Sequence, residues 1–107
     1  MNPFIKQCIA EFIGTFFLVF VGCGAIIVAQ TQAGISPLLI PIAFGGVIAV
    51  MIYSVGHISG AHFNPAVTVA FCVARHFPMK RVAGYVLAQV LGATLASVLH
   101  CYFFNQT

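Results

Sequence analysis

Long runs of apolar residues broken by short polar or glycine-bearing turns set the plan of this chain. The first run, roughly Ile9 to Ala29, follows a short tail, Met1 to Cys8, that carries Lys6. Gln30 to Pro37 reads as a turn, with Gly34 and Ser36-Pro37 as breakers. A second run covers roughly Leu38 to Val55, and a third roughly Lys80 to Phe104. Each is long enough to cross a hydrocarbon core of ~30 Å as a helix. The segment between the second and third runs does not fit this pattern. Gly56 to Phe63 reads as an irregular loop, and Asn64-Pro65 as a helix start, because Asn is a strong N-cap and Pro is favoured at the first helical position. Ala66 to Ala74 then continues for only about ten residues, or ~15 Å, half a bilayer core. Arg75 to Pro78 stops it. This is the signature of a re-entrant half-helix whose amino end lies at membrane depth. Such an end is tolerated there only where it lines a polar cavity, which points to a pore.

Composition supports the membrane assignment. The chain has 107 residues, 62% hydrophobic and 5% charged, against about 25% charged in a soluble domain. That allows a single membrane domain over 1–107 and no separate soluble one. Four basic residues against one acid are too sparse for a nucleic-acid surface. Lys6, Arg75, Lys80 and Arg81 all fall on one side if the short helix dips in and returns, and the positive-inside bias makes that side, with the N-terminus, cytoplasmic. Cys8, Cys23, Cys72 and Cys101 have no metal-ligand spacing, so neither disulfides nor zinc are expected. Asp is absent, which rules out a Ser/His/Asp set, and no phosphate-binding glycine loop occurs; enzymatic chemistry has no support.

Several residues are candidates for function. Asn64 caps the half-helix and can present amide donors to a passing solute. Ser59-Gly60-Ala61-His62 approaches that cap, and its irregular backbone leaves carbonyls free to line a water path. Glu11, the one acid, either braces this loop, with the His62 side chain as partner, or sits solvated at an interface. Phe44, Ile48 and Ile52 share one face of the second span and either wall a pore or simply pack; Leu18 on the first span is a weaker candidate. His76 and His100 read as interfacial. Gly84, Ala88, Gly92 and Ala96 form a small-residue stripe that lets another helix approach closely. A non-conducting subunit that only packs through this stripe is the rival reading.

Ser59-Gly60-Ala61-His62-Phe63-Asn64-Pro65-Ala66-Val67-Thr68 resembles the first Asn-Pro-Ala loop of the aquaporin, or major intrinsic protein, family. Ala10-Glu11-Phe12-Ile13-Gly14-Thr15, Val55-Gly56-His57-Ile58 and Gly84-Tyr85 to Gly92 are similar to other parts of the same fold, and the loop and its flanks look closest to bacterial and plant nodulin-like members. The resemblance implies an all-α transmembrane half of an aquaporin-like fold: three spanning helices plus one re-entrant half-helix. It implies passive water conduction, with glycerol or another small neutral solute as the alternative, and no cofactor. Asn64, Pro65 and Ala66 would form the pore centre, the carbonyls of Gly60, Ala61 and His62 one half of the channel wall, and Glu11 the brace. Phe44 falls at the family's aromatic constriction; Phe there is typical of water-selective members, whereas nodulin-like and glycerol-conducting members more often carry Trp or a small residue. The second repeat is absent from this sequence. A fragment, or a half that pairs with a separate second half, fits the charge bias better than a self-paired antiparallel homo-oligomer. The expected setting is a plasma (inner) membrane.

Overall fold

The computed structural model describes residues 1–104, and every regular element among them is helical. Helix α1 spans Pro3–Thr31, α2 Leu39–Ser59, α3 Pro65–Val73 and α4 Val82–Phe104, the last entered through a 3₁₀ turn at Met79–Arg81. Three segments are long and apolar enough to cross a membrane: Pro3–Thr31, Leu39–Ser59 and Met79–Phe104. The nine residues of α3 reach only about half that distance.

α1 begins six residues earlier than the apolar run suggests. Asn2 caps it, its Oδ1 accepting the Phe4 N–H at 2.7 Å, and Pro3 takes the first helical position. The expected tail is therefore helix from Pro3 onward. α2 likewise continues past Val55 to Ser59, so Gly56 to Ser59 belong to the helix and not to the loop. The break falls at Gly60, whose φ of 88° is left-handed backbone open to glycine at little steric cost. Pro41 lies in the first turn of α2, where no intrahelical N–H is needed.

α3 ends in a Schellman motif. The His76 N–H reaches the Phe71 carbonyl at 2.8 Å and the Arg75 N–H that of Cys72 at 3.0 Å. Arg75 occupies the left-handed position, φ 65°, where glycine is usual. Pro78 then directs the chain into α4.

α1 is the centre of the packing and contacts both long neighbours. The stripe on α4 faces α1 of the same chain: Ala88, Gly92 and Ala96 are buried. A Cβ on Gly92 would lie 2.5 Å from the Phe12 carbonyl oxygen, and one on Gly84 2.5 Å from the Phe4 ring. The stripe thus lies inside the chain, not on a face offered to other subunits. His100 is also internal, not interfacial. It is 5% exposed, lies against Gly24 and shares a 2.8 Å hydrogen bond with the Phe20 carbonyl. Gly24 leaves room on α1 for the ring to enter.

Gly92→Ala should lower stability by about 1–3 kcal/mol, because the backbone of α1 must move to admit the methyl group. Gly45→Ala, on an open face of α2 with nothing within 4 Å, should be neutral or stabilising. Thermal melts followed by far-UV circular dichroism in detergent separate the two.

Candidate functional site

Asn64 is the hinge between loop and half-helix. Its backbone is extended, φ −161° and ψ 128°, and its Oδ1 accepts the Ala66 N–H at 2.7 Å while its carbonyl accepts that of Thr68 at 3.1 Å. Pro65 supplies the first helical position without adding an orphan donor. With Oδ1 committed to the cap, the Asn64 amide N–H groups have no acceptor among the described residues and the side chain is exposed. Donors and the positive end of a short dipole therefore emerge together.

The loop that delivers Asn64 is strained. Gly60, Ala61 and Phe63 all have positive φ (88°, 55° and 55°), and the last two are not glycine. Such residues cost about 1–3 kcal/mol each and persist only where the surroundings fix them. Here the fixing group is Glu11, fully buried on α1. Its Oε2 accepts from Ser59 Oγ at 2.7 Å and from the His62 N–H at 3.1 Å; its Oε1 accepts from the Phe63 N–H at 2.8 Å and from Gln89 Nε2 at 2.7 Å. The His62 contribution comes from its backbone amide and not, as the sequence suggested, from its side chain. The ring is engaged elsewhere: Nδ1 meets Thr68 Oγ1 at 2.8 Å, and Phe71, Phe77 and Tyr85 surround it with ring centroids about 5 Å away. Gln89 Nε2 also donates to Thr68 Oγ1 at 3.0 Å. The simplest proton arrangement has the Thr68 hydroxyl donating to His62 Nδ1, which leaves His62 neutral with its proton on Nε2. Tyr85 closes the network by donating to the Ser59 carbonyl at 2.7 Å.

Two glycines on α1 admit aromatic rings that shape the site. A Cβ on Gly14 would overlap the Phe63 ring, and one on Gly22 would overlap the Phe44 ring. Between α1, α2, α3 and α4 lies a cavity of about 280 Å³. Asn64, Pro65, Phe44 and Leu18 line it together, and Thr15 and Gln89 contribute a polar edge. The Thr15 Oγ1 and Gln89 Oε1 atoms are buried and have no hydrogen-bond partner among the described residues. Ile48, Gly60, Ala61, His62 and Ala66 stand outside that cavity's lining. The carbonyls of Gly60, Ala61 and His62 accept no hydrogen bond among the described residues and remain open as acceptors. Ile48 is 37% exposed on the open side of α2.

Gln89 was missed by sequence reasoning. The signal was present: a lone amide in the middle of an apolar span, where an unsatisfied polar group is expensive. Phe63 was missed because its role is steric and depends on Gly14, half the chain away.

Glu11→Gln should destabilise the fold by about 2–5 kcal/mol, since an amide replaces one carboxylate oxygen and confronts two of the four donors with N–H groups. Chemical unfolding in detergent measures this. Cleavage by protease at the 60–63 loop should rise in parallel, reporting the loss of loop order.

The family profile described as "Major intrinsic protein" matches residues 1–107. Aquaporin NIP1-1 of Oryza sativa subsp. japonica is 54% identical over 96 residues, covering 89% of this chain and 34% of the relative. Nodulin-26 of Glycine max is 48% identical over 96 residues, covering 89% of this chain and 35% of its own. Among solved structures, the aquaglyceroporin from Plasmodium falciparum superposes with a TM-score of 0.83 at 30% identity, covering 95% of this chain and 43% of that one. The chain thus spans about a third of the length of these curated relatives.

Proposed function

Because the chain belongs to the major intrinsic protein family, a family of membrane channels and not of enzymes, we propose that it supplies one half of a passive pore for water. The observation that carries this reading is the shared cavity. Asn64, at the amino end of a half-helix, faces the same space as Phe44, an aromatic ring held against Gly22. The Asn64 amide hydrogens orient a solute oxygen. The positive end of α3 opposes cations and breaks the run of donors and acceptors that a proton would follow. The free carbonyls of Gly60, Ala61 and His62 form the acceptor wall leading to it. Glu11 is the brace that keeps this wall and Asn64 in register.

A full conduit needs a second half-helix opposite the first. The partner in this reading is a second aquaporin-like half, with a second copy of this chain as the less favoured source. The basic end of the molecule, with Lys6, Arg75, Lys80 and Arg81, faces the cytosol, and the N-terminus lies on that side of a plasma (inner) membrane. Glycerol is the second reading for the solute, favoured by the similarity to a protein described as an aquaglyceroporin.

Stopped-flow shrinkage of vesicles tests the proposal directly. The chain co-reconstituted with the remaining part of a full-length relative should raise osmotic water permeability well above that of lipid, and Asn64→Asp in that pore should admit a cation leak that the parent excludes. Water permeability no greater than lipid, with insertion verified, rejects the reading. Phe44→Ala should increase glycerol uptake several-fold; loss of water flux without gain for glycerol removes Phe44 as the size gate.

A further inference from the structure

The peptide units that carry the chain from Ser59 to Phe63 are all trans and planar, so in each the N–H and the carbonyl point in opposite directions. Three of them are held by the N–H. That of Ala61 donates to Ser59 Oγ at 3.1 Å, that of His62 to Glu11 Oε2 at 3.1 Å and that of Phe63 to Glu11 Oε1 at 2.8 Å. With these N–H groups drawn towards α1 and Ser59, the carbonyls of Gly60, Ala61 and His62 are aimed the other way. They are the carbonyls that accept no hydrogen bond among the described residues. The unit between Ser59 and Gly60 is the exception. Its N–H continues α2 by donating to the Gly56 carbonyl at 2.8 Å, and its carbonyl is taken by the Tyr85 hydroxyl at 2.7 Å.

We propose that Tyr85 is a positioning residue of the pore loop: by holding the Ser59 carbonyl it keeps that peptide unit out of the acceptor wall and makes Gly60 the wall's outermost member. This deepens the pore reading above and rests on it. The last carbonyls of a helix have no intrahelical partner. Without the hydroxyl, Ser59 would present such an orphan next to Gly60, and a water entering the file would bind it and be delayed there. The tyrosine is well seated for the task. It is 1% exposed, and Phe77 and His62 pack on its ring with centroids 4.6 and 5.1 Å away. Phe4 of α1 stacks along it at 6.4 Å and 18°. Phe4 is fixed in turn: its ring fills the notch over Gly84, and the Arg81 guanidinium lies 5.8 Å from its centroid while donating to Gln7 Oε1 at 3.1 Å. The first turns of α1, capped by Asn2, therefore form the seat of Tyr85. A phenylalanine would fill the same space; the hydroxyl alone reaches Ser59.

Water-edited solid-state NMR of the co-reconstituted pore, with labelled carbonyl carbons at Ser59 and Gly60, tests this inference. In the parent, polarisation from water should reach the Gly60 carbonyl several-fold faster than that of Ser59. Tyr85→Phe, which keeps the ring, should bring Ser59 up to the rate of Gly60 and leave Gly60 as it was. Phe4→Leu, which loosens the seat but leaves the hydroxyl, should give an intermediate rate at Ser59. Tyr102→Phe, at an exposed position near the other end of α4, should change nothing. Water permeability in Tyr85→Phe should fall by up to about fivefold, the factor carried by one neutral hydrogen bond that a passing water must break. A parent in which Ser59 is as wet as Gly60 overturns the proposal, and this needs no variant to fold. So does a Ser59 carbonyl that stays dry in Tyr85→Phe, an equal change at Gly60, or unaltered permeability in a pore whose parent conducts. A Gly60 carbonyl that water does not reach in the parent rejects the pore reading itself, and the inference with it.

Discussion

A carboxylate buried within an apolar membrane-spanning helix would ordinarily be among the most expensive groups a membrane protein can hold. Glu11 is tolerated because four donors converge on it from three places: the end of α2, two successive amides of the loop, and Gln89 on α4. Among the described residues no cation takes part. The same contacts that remove the burden of the charge also hold the loop, because the His62 and Phe63 amides meet Glu11 with Ala61 and Phe63 in left-handed turns. Stability and site geometry are thus one network. The carboxylate offsets the cost of positive φ at Ala61 and Phe63, and the loop amides offset the cost of burying the carboxylate.

Close approach to α1 is the second constraint. Gly14, Gly22 and Gly24 each receive a ring, from Phe63, Phe44 and His100, while Gly84 and Gly92 on α4 receive the Phe4 ring and the α1 backbone. These contacts come from all three other parts of the fold, so α1 acts as a template against which α2, the loop and α4 are registered. Dense packing around small residues suits a setting where water is not available to drive helices together.

Much of this was legible in the residues. The Asn64-Pro65 cap, the short helix behind it and the three spans follow from capping chemistry and length, and the Ser59–Thr68 motif placed them in a family. The ends of the long helices did not follow. Hydropathy marks where a helix meets hydrocarbon, not where its hydrogen bonds stop, so α1 was cut at Ile9 although Asn2-Pro3 repeats the signature of Asn64-Pro65. Gly56 to Ser59 read as loop but remain helical; the chain turns at Gly60. His62 and His100 were misread for a related reason. A histidine's surroundings depend on which glycine or hydroxyl lies across from it, and those partners, Thr68 and Gly24, become visible only once the helices are packed.

The seating of Phe44 on Gly22 has one more implication. In the proposed conduit, the bore at that level is set jointly by the ring and by the bare backbone behind it. A methyl group at position 22 would overlap the Phe44 ring and force it to shift, changing the bore without touching any permeant. Calibre is therefore adjustable from the reverse side of the wall, by a residue that a survey of solute-facing positions alone would pass over.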